Sequence, residues 1–223
     1  MMATAEEPLQ NLPDKNKEEQ KMATKYDLEV IHNGTDCGDF CLYQTYDGQM
    51  DDIRPLVWFS KTAHPGTKLS FEWSIDYSLA WSEQGDLTPG VVFRASQIVP
   101  TDPTDTSKNT LLLTREKDAF RFGPSDNPTK AGKLGVVCDS MIPSGTASVG
   151  VGMSGKPTQA CVASPSLKYT FTPHPRYWIA FGKFEEGEVI DLNRMTQKFE
   201  INYPVNTYHR AVELTSNNTW MDQ

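Results

Sequence analysis

The segment Lys68-Leu69-Ser70-Phe71-Glu72-Trp73-Ser74-Ile75-Asp76-Tyr77 alternates between polar and large apolar residues. Successive side chains of a strand point to opposite faces of a sheet, so this order produces one apolar face and one polar face. In a helix, at about 100° per residue, the same apolar groups would be spread around the whole cylinder. The segment is therefore predicted to be a β-strand, and its five apolar side chains are predicted to seed a hydrophobic core.

The rest of the chain has the same character, with short alternating or apolar segments separated by turn residues. Asn33-Gly34 and Asp47-Gly48 are hairpin turn signals, and 15 Gly and 15 Pro residues supply turns along the whole length. Only residues 192–198 resemble a helical turn, and no segment has the pattern of a long amphipathic helix. These features predict an all-β fold, an antiparallel two-sheet sandwich of the jelly-roll kind.

Composition divides the chain near residue 25. Residues 1–25 carry five acidic and four basic side chains and few large apolar ones, a composition that buries too little surface to fold alone. We expect a flexible N-terminal tail there, either solvated or ordered against a neighbouring molecule as an assembly arm. Residues 26–223 contain neither an internal repeat nor a linker, so they are expected to form a single β-sandwich domain.

The overall charge argues against several classes of protein. A net charge of −8 and a pI near 5.0 lack the basic surface that a nucleic-acid-binding protein needs. No segment approaches the roughly 20 apolar residues of a membrane-spanning helix. The four cysteines are too few and too scattered for a disulfide scaffold, although a bridge from Cys41 to Cys138 or Cys161 stays open. A reduced, cytoplasmic protein is expected.

Motifs for catalysis, metals and cofactors are weak. The four histidines show no metal-binding spacing, and a composite site with Cys37 and Cys41 is disfavoured. The segment from Gly152 to Lys156 lacks the final glycine of a nucleophile elbow and is interpreted as a tight turn. The acidic run at 185–188 is interpreted as a charged turn rather than a calcium site. We expect no catalytic residue, no bound metal and no cofactor.

Ligand binding is the more open question, because the chain has five tryptophans and eight tyrosines. Aromatic rings presented together on a rim bind sugar rings, whereas rings distributed over inner sheet faces form a core. His64 and His174 both precede proline and lie in predicted loops, near other exposed-looking aromatic or charged residues. The candidate ligand-binding residues are His64, Trp81, His174, Arg176 and Trp178.

Several segments together resemble one known family. These are Val57-Trp58-Phe59-Ser60-Lys61, Phe71 to Tyr77, Val149 to Gly155, Tyr169 to Trp178, and the Asn218-Thr219-Trp220 end. Their order is similar to the rhizosphere-expressed RhiA proteins from about residue 26 onward, and the tail lies outside the resemblance. The resemblance implies an abundant cytoplasmic protein of plant-associated bacteria under cell-density control, with no defined catalytic residues to transfer to this chain.

Three functions follow, in order of preference. The first is a non-enzymatic binding or self-assembly module, in which edge strands and the tail pair between copies of a homo-oligomer. The second is a lectin-like module that binds carbohydrate or another small ligand. The third is a jelly-roll enzyme that uses His64 and His174 with nearby carboxylates.

Overall fold

The computed structural model describes residues 24–46 and 52–223. Within those residues the chain forms strands, turns and bends and no helix, and therefore no helix that could cross a membrane. The strands are β1 (Lys25–His32), β2 (Gly38–Tyr46), β3 (Arg54–Pro55), β4 (Phe59–Ala63), β5 (Thr67–Ser74), β6 (Tyr77–Ser82), β7 (Gln97–Thr101), β8 (Thr110–Glu116), β9 (Ala119–Pro124), β10 (Leu134–Cys138), β11 (Ser148–Met153), β12 (Lys156–Val162), β13 (Lys168–Phe171), β14 (Pro175–Gly182), β15 (Lys198–Ile201), β16 (His209–Leu214) and β17 (Trp220–Asp222).

These strands form four sheets. Sheet 1 has the order β17-β16-β1-β5, sheet 2 β15-β14-β2-β4, sheet 3 β3-β12-β11-β6-β7 and sheet 4 β13-β10-β8-β9. All pairs are antiparallel except β1 with β16 and β8 with β10. The predicted all-β sandwich architecture is confirmed, with four sheets where the sequence suggested two.

The sheets pack in two pairs. Sheets 1 and 2 enclose a core that includes Leu28, Phe40, Trp58, Phe71 and Trp73, and we call this pair the outer sandwich. Sheets 3 and 4 enclose a second core, and we call that pair the inserted sandwich. The name reflects chain order, because β6 to β13 lie between β5 and β14 of the outer sandwich. Strand β3, at the edge of sheet 3, comes earlier in the chain, between β2 and β4.

The two sandwiches are joined by shared side chains and hydrogen bonds. Tyr77 packs against both cores, and Met153 of sheet 3 is buried in the outer core. Trp58 Nε1 donates to the carbonyl of Met153 over 2.9 Å. The prediction of one domain from residue 26 to 223 stays a prediction, since it depends on whether the two cores unfold together.

The alternating segment forms β5 but ends earlier than its pattern indicates. Phe71 and Trp73 are buried as expected, whereas Ile75 is 38% exposed and lies outside the strand. The chain leaves sheet 1 after Ser74 and enters sheet 3 at Tyr77, and Asp76 accepts a hydrogen bond from the amide of Ser154 at the crossing. The prediction that Ile75 belongs to the core is therefore wrong, because the side-chain alternation continues across a change of sheet.

The structure also shows the outcome of the sequence predictions for one tight turn, one strand, one helical segment and the cysteines. Residues 154–155 form the tight turn between β11 and β12, with positive φ angles of 54° and 71°. The strand predicted over 91–99 occupies 97–101 instead, and residues 192–194 form a turn rather than a helix. All four cysteines are free, so the open disulfide pairings are not formed. The predicted tail lies, apart from Thr24 and Lys25, outside the described residues, as does the Asp47-Gly48 turn.

Candidate functional site

An open cleft lies where the chain crosses between the two sandwiches. The crossing from β5 to β6 supplies Ile75 and Tyr77, and the crossing from β13 to β14 supplies the segment from Pro173 to Tyr177. Strand β1 contributes Tyr26, and the end of β15 with the residues after it contributes 200–203. The cleft has a volume of about 400 Å³, within the roughly 300–1,000 Å³ typical of small-ligand sites, which often form between structural units.

Aromatic rings form the walls of the cleft. The rings of Tyr26 and Tyr203 meet edge to face with centroids 5.0 Å apart, and Tyr177 lies 6.0 Å from Tyr203. Buried Trp73 lies behind them, stacked on Tyr26 at 6.1 Å and 5.3 Å from Tyr177. Tyr26, Tyr77, Tyr177 and Tyr203 are all half-buried, so part of each residue is open to solvent. Such an arrangement offers apolar surface to a flat ligand.

Tyr77, Tyr177 and Tyr203 have raised pKa values, and the hydroxyls of Tyr77 and Tyr203 form hydrogen bonds with backbone carbonyls. Burial raises the pKa of Tyr77 to about 12, and burial likewise raises the pKa values of Tyr177 and Tyr203. The Tyr203 hydroxyl donates to the backbone carbonyl of Asp27 over 2.9 Å, and the Tyr77 hydroxyl donates to that of Pro173 over 3.4 Å. These bonds hold the rings of Tyr77 and Tyr203 in place, and the raised pKa values keep the hydroxyls of Tyr77, Tyr177 and Tyr203 uncharged at physiological pH.

The rim of the cleft is polar. Arg176 donates to both carboxylate oxygens of Glu200, over 2.7 and 2.6 Å. The hydrogen bonds from Arg176 lower the pKa of Glu200, and the two charges offset each other. His174 and Asn202 complete this side and are both exposed. The rim therefore offers hydrogen-bond donors and acceptors without a net charge.

The five residues predicted to bind ligand fall in three places. His174 and Arg176 line the cleft, and Trp178 lies next to them on β14, with the Arg176 guanidinium 5.3 Å from its ring centre. Trp81 is 6% exposed in the core of the inserted sandwich, where its Nε1 donates to Gln97. His64 precedes β5, and the eight residues of that strand, about 3.3 Å each, separate it from the cleft.

A second cavity of about 420 Å³ lies beside β14, beneath residues 188–197. Its walls include Phe181, Phe184 and Met195. Phe181 also packs against the core of the outer sandwich, whereas Phe184 and Met195 pack against a separate small apolar cluster around Tyr43 and Ala180. Its charged groups include Asp191 and Arg194, which pair with each other at 3.3 Å. It brings together none of the predicted residues, and we take the aromatic cleft as the candidate site.

The acidic and histidine side chains of the described residues are spread apart or paired with basic groups. Among residues 24–46 and 52–223, no three His, Cys, Asp or Glu side chains are grouped so as to hold a metal ion. The acidic run makes ion pairs instead, Glu185 with Arg94 and Glu186 with Lys156. The two histidines of the enzyme hypothesis lie at different ends of the outer sandwich.

The sequence of the chain matches a protein family and a known protein of that family. The profile of the RhiA family matches residues 23–223. The chain belongs to the RhiA family. It is similar to the protein RhiA of Rhizobium leguminosarum bv. viciae, with 31% identity over 200 residues, 88% of this chain and 85% of that protein. No solved structure matches the chain.

All of the residues that line the aromatic cleft lie within the region that matches the RhiA family. The sequence did not single out Tyr26, Tyr77, Tyr177 and Tyr203, since they come from three strands and the segment after β15, which are distant along the chain. Two signals pointed to the place. The polar–apolar alternation of β5 continues through Ile75-Asp76 although the strand ends at Ser74, and this is the crossing from β5 to β6. Proline sterics favour an extended Pro173-His174-Pro175, which is the crossing from β13 to β14.

Proposed function

We propose that this RhiA-family protein is a non-enzymatic binding module whose ligand is an uncharged carbohydrate of one or two sugar rings. The observation that carries the proposal is the set of partly exposed tyrosine rings that meet in one cleft between the sandwiches. A sugar ring has an apolar C–H face, and aromatic side chains bind such faces by stacking.

The rim supports the same ligand class. The Arg176 and Glu200 side chains are held planar and bidentate, and Asn202 and His174 lie beside them. Groups of this kind form directed hydrogen bonds with neighbouring hydroxyls. Because the arginine and the glutamate offset each other's charge, the rim has no preference for an anion or a cation.

Saturation-transfer NMR with a panel of neutral mono- and disaccharides tests the proposal, and tryptophan fluorescence serves as a second signal because Trp73 stacks on Tyr26. Tyr26→Ala removes one aromatic wall and is expected to weaken binding at least about tenfold, which corresponds to about 1.4 kcal/mol. Tyr208→Ala is the matched control, because Tyr208 contacts the Tyr26 ring from outside the cleft and is 45% exposed.

Retained binding in Tyr208→Ala together with weakened binding in Tyr26→Ala would support the cleft as the site. If no saccharide in the panel binds at millimolar concentration, the carbohydrate assignment is wrong. If saccharides bind to Tyr26→Ala as tightly as to the unmodified protein, the site lies elsewhere on the molecule.

A further inference from the structure

The four cysteines of the chain are in contrasting environments. Cys41, Cys138 and Cys161 are buried, and burial raises the pKa of each thiol, that of Cys138 to about 12. Buried thiols of this kind stay protonated and are inert toward reagents in solution. Cys37 is exposed, in the connection between β1 and β2.

Cys37 has an imidazole as its neighbour. Its Sγ lies 3.9 Å from Nε2 of His64, a residue 27 positions later in the turn between β4 and β5. Both side chains are exposed, so the pair is open to molecules in solution. A thiol beside an imidazole can pass its proton to the ring nitrogen, which produces the thiolate that acts as the nucleophile.

The loop that carries Cys37 is ordered by a buried histidine. His32 is fully buried, and its Nδ1 accepts a hydrogen bond from the amide of Gly34 over 3.3 Å. Its Nε2 therefore carries the proton and donates to the carbonyl of Asp36 over 2.9 Å. These two bonds fix the backbone immediately before Cys37.

The turn that carries His64 is fixed in a similar way. The amide and hydroxyl of Thr67 both donate to the carbonyl of His64, over 3.2 and 2.6 Å. The amide of Gly66 donates to the carbonyl of His32 over 2.6 Å, which ties this turn to the base of the Cys37 loop. The thiol and the imidazole are thus brought together by backbone bonds on both sides.

We propose that Cys37 is a modification site that undergoes thiol–disulfide exchange with low-molecular-weight disulfides, with His64 as the general base. His64 Nε2 takes the thiol proton, and the Cys37 sulfur attacks one sulfur of the disulfide. A new sulfur–sulfur bond forms to Cys37, the original one breaks, and the departing thiolate takes the proton back from the imidazolium. Cys37 is oxidised to a mixed disulfide and the departing sulfur is reduced, so the disulfide itself is the oxidant.

Two reagents test the proposal on the full-length folded protein. An aromatic disulfide reagent that releases a coloured thiolate reports the rate of exchange, and oxidised glutathione followed by intact mass measurement reports adduct formation. One thiol is expected to react in the folded protein and three more only after denaturation. Cys37→Ser should abolish the reaction of the folded protein, and His64→Gln should slow it about tenfold at neutral pH, because the glutamine amide cannot accept the thiol proton.

His209→Gln is the matched control, because His209 is an exposed histidine on β16, a strand that is paired with β1 and β17 in sheet 1. It should leave the exchange rate unchanged, and circular dichroism checks that each variant is folded. An unchanged rate in His64→Gln would overturn the role of the imidazole. Rapid adduct formation in Cys37→Ser would overturn the assignment of the site. Neither result depends on the aromatic cleft, which lies at the other end of β5.

Discussion

Tyr77 shows how one residue can serve both halves of the molecule. It begins β6, packs against both cores, and lines the cleft between them. The side chain is half-buried, and burial is the main reason that its pKa rises from 10 to about 12. A phenolate at this position would place a charge between two apolar cores, which is unfavourable.

The pKa of Tyr77 predicts loss of stability in alkali. Between about pH 10 and pH 12 the unfolded chain releases a proton that the folded chain keeps, so the free energy of unfolding falls as pH rises through that window. Its contribution is fully present below pH 10. The fall is at most about 1.4 kcal/mol per pH unit for each such tyrosine.

Urea unfolding at several alkaline pH values checks this prediction, and Tyr77→Phe should show a shallower decline than the unmodified protein. Equal slopes in the two proteins would contradict it. Tyr177 and Tyr203 have pKa values raised in the same direction, so part of the decline is expected to remain in the variant.

At the scale of an element, the β11–β12 hairpin depends on glycine for close approach between strands. A Cβ placed on Gly150 would lie 2.2 Å from the backbone carbonyl oxygen of Gln159 in β12, and one on Gly152 would lie 2.6 Å from that of Lys156. The pairing register shifts between Val151 and Gly152. At both positions a backbone carbonyl of β12 therefore occupies the space that a side chain would need.

Gly150→Ala is therefore expected to destabilise the protein by roughly 2–4 kcal/mol, because a backbone atom cannot move aside as a flexible side chain can. Gly123→Ala on β9 is the matched control, since a Cβ there meets nothing within 4 Å and the φ angle is not in the left-handed region. The control should stay within about 0.5 kcal/mol of the unmodified protein. Denaturant unfolding measures both, and a small effect of Gly150→Ala would contradict the close contact.

At the scale of the whole molecule, the outer and inserted sandwiches share more than a covalent connection. The amide of Leu56 donates to the carbonyl of Thr158 in β12, and the amide of Val57 donates to that of Glu188, which follows β14. Isolated bridges also join Leu56 to Val189 and Val92 to Glu188. Apolar residues from these segments form a third cluster on the outer face of sheet 3. Loss of either sandwich would expose apolar surface of the other.

Because the outer and inserted sandwiches share these contacts, we expect the protein to unfold in a single cooperative transition. Trp58 and Trp73 report on the outer core and Trp81 on the inserted core, so single-tryptophan variants monitor each core by fluorescence during denaturant unfolding. Coincident transitions would support one domain from residue 26 to 223. Two separated midpoints would show that the sandwiches unfold independently. Self-assembly and a cytoplasmic location stay predictions.

The sequence by itself determined the fold class. The alternation through β5, the turn chemistry at Ser154-Gly155 and the glycines of β11 are local properties, because φ preference and side-chain direction depend on a residue and its immediate neighbours. Strand identity and the position of several turns therefore follow from the order of residues. His174 and Arg176 also emerged from the sequence, through their proline-rich context and chemistry.

The tertiary structure alone decided how many cores the strands form and which side chains meet in the cleft. Alternation shows that a side chain is buried but not which sheet it faces. The pattern predicted that Trp73 is buried and left Trp81 among the ligand-binding candidates, whereas the structure buries them in two different cores. The tyrosines of the cleft and the pair Cys37 and His64 are brought together by pairing between strands distant in sequence. Such contacts depend on sheet order, and no local pattern encodes that order.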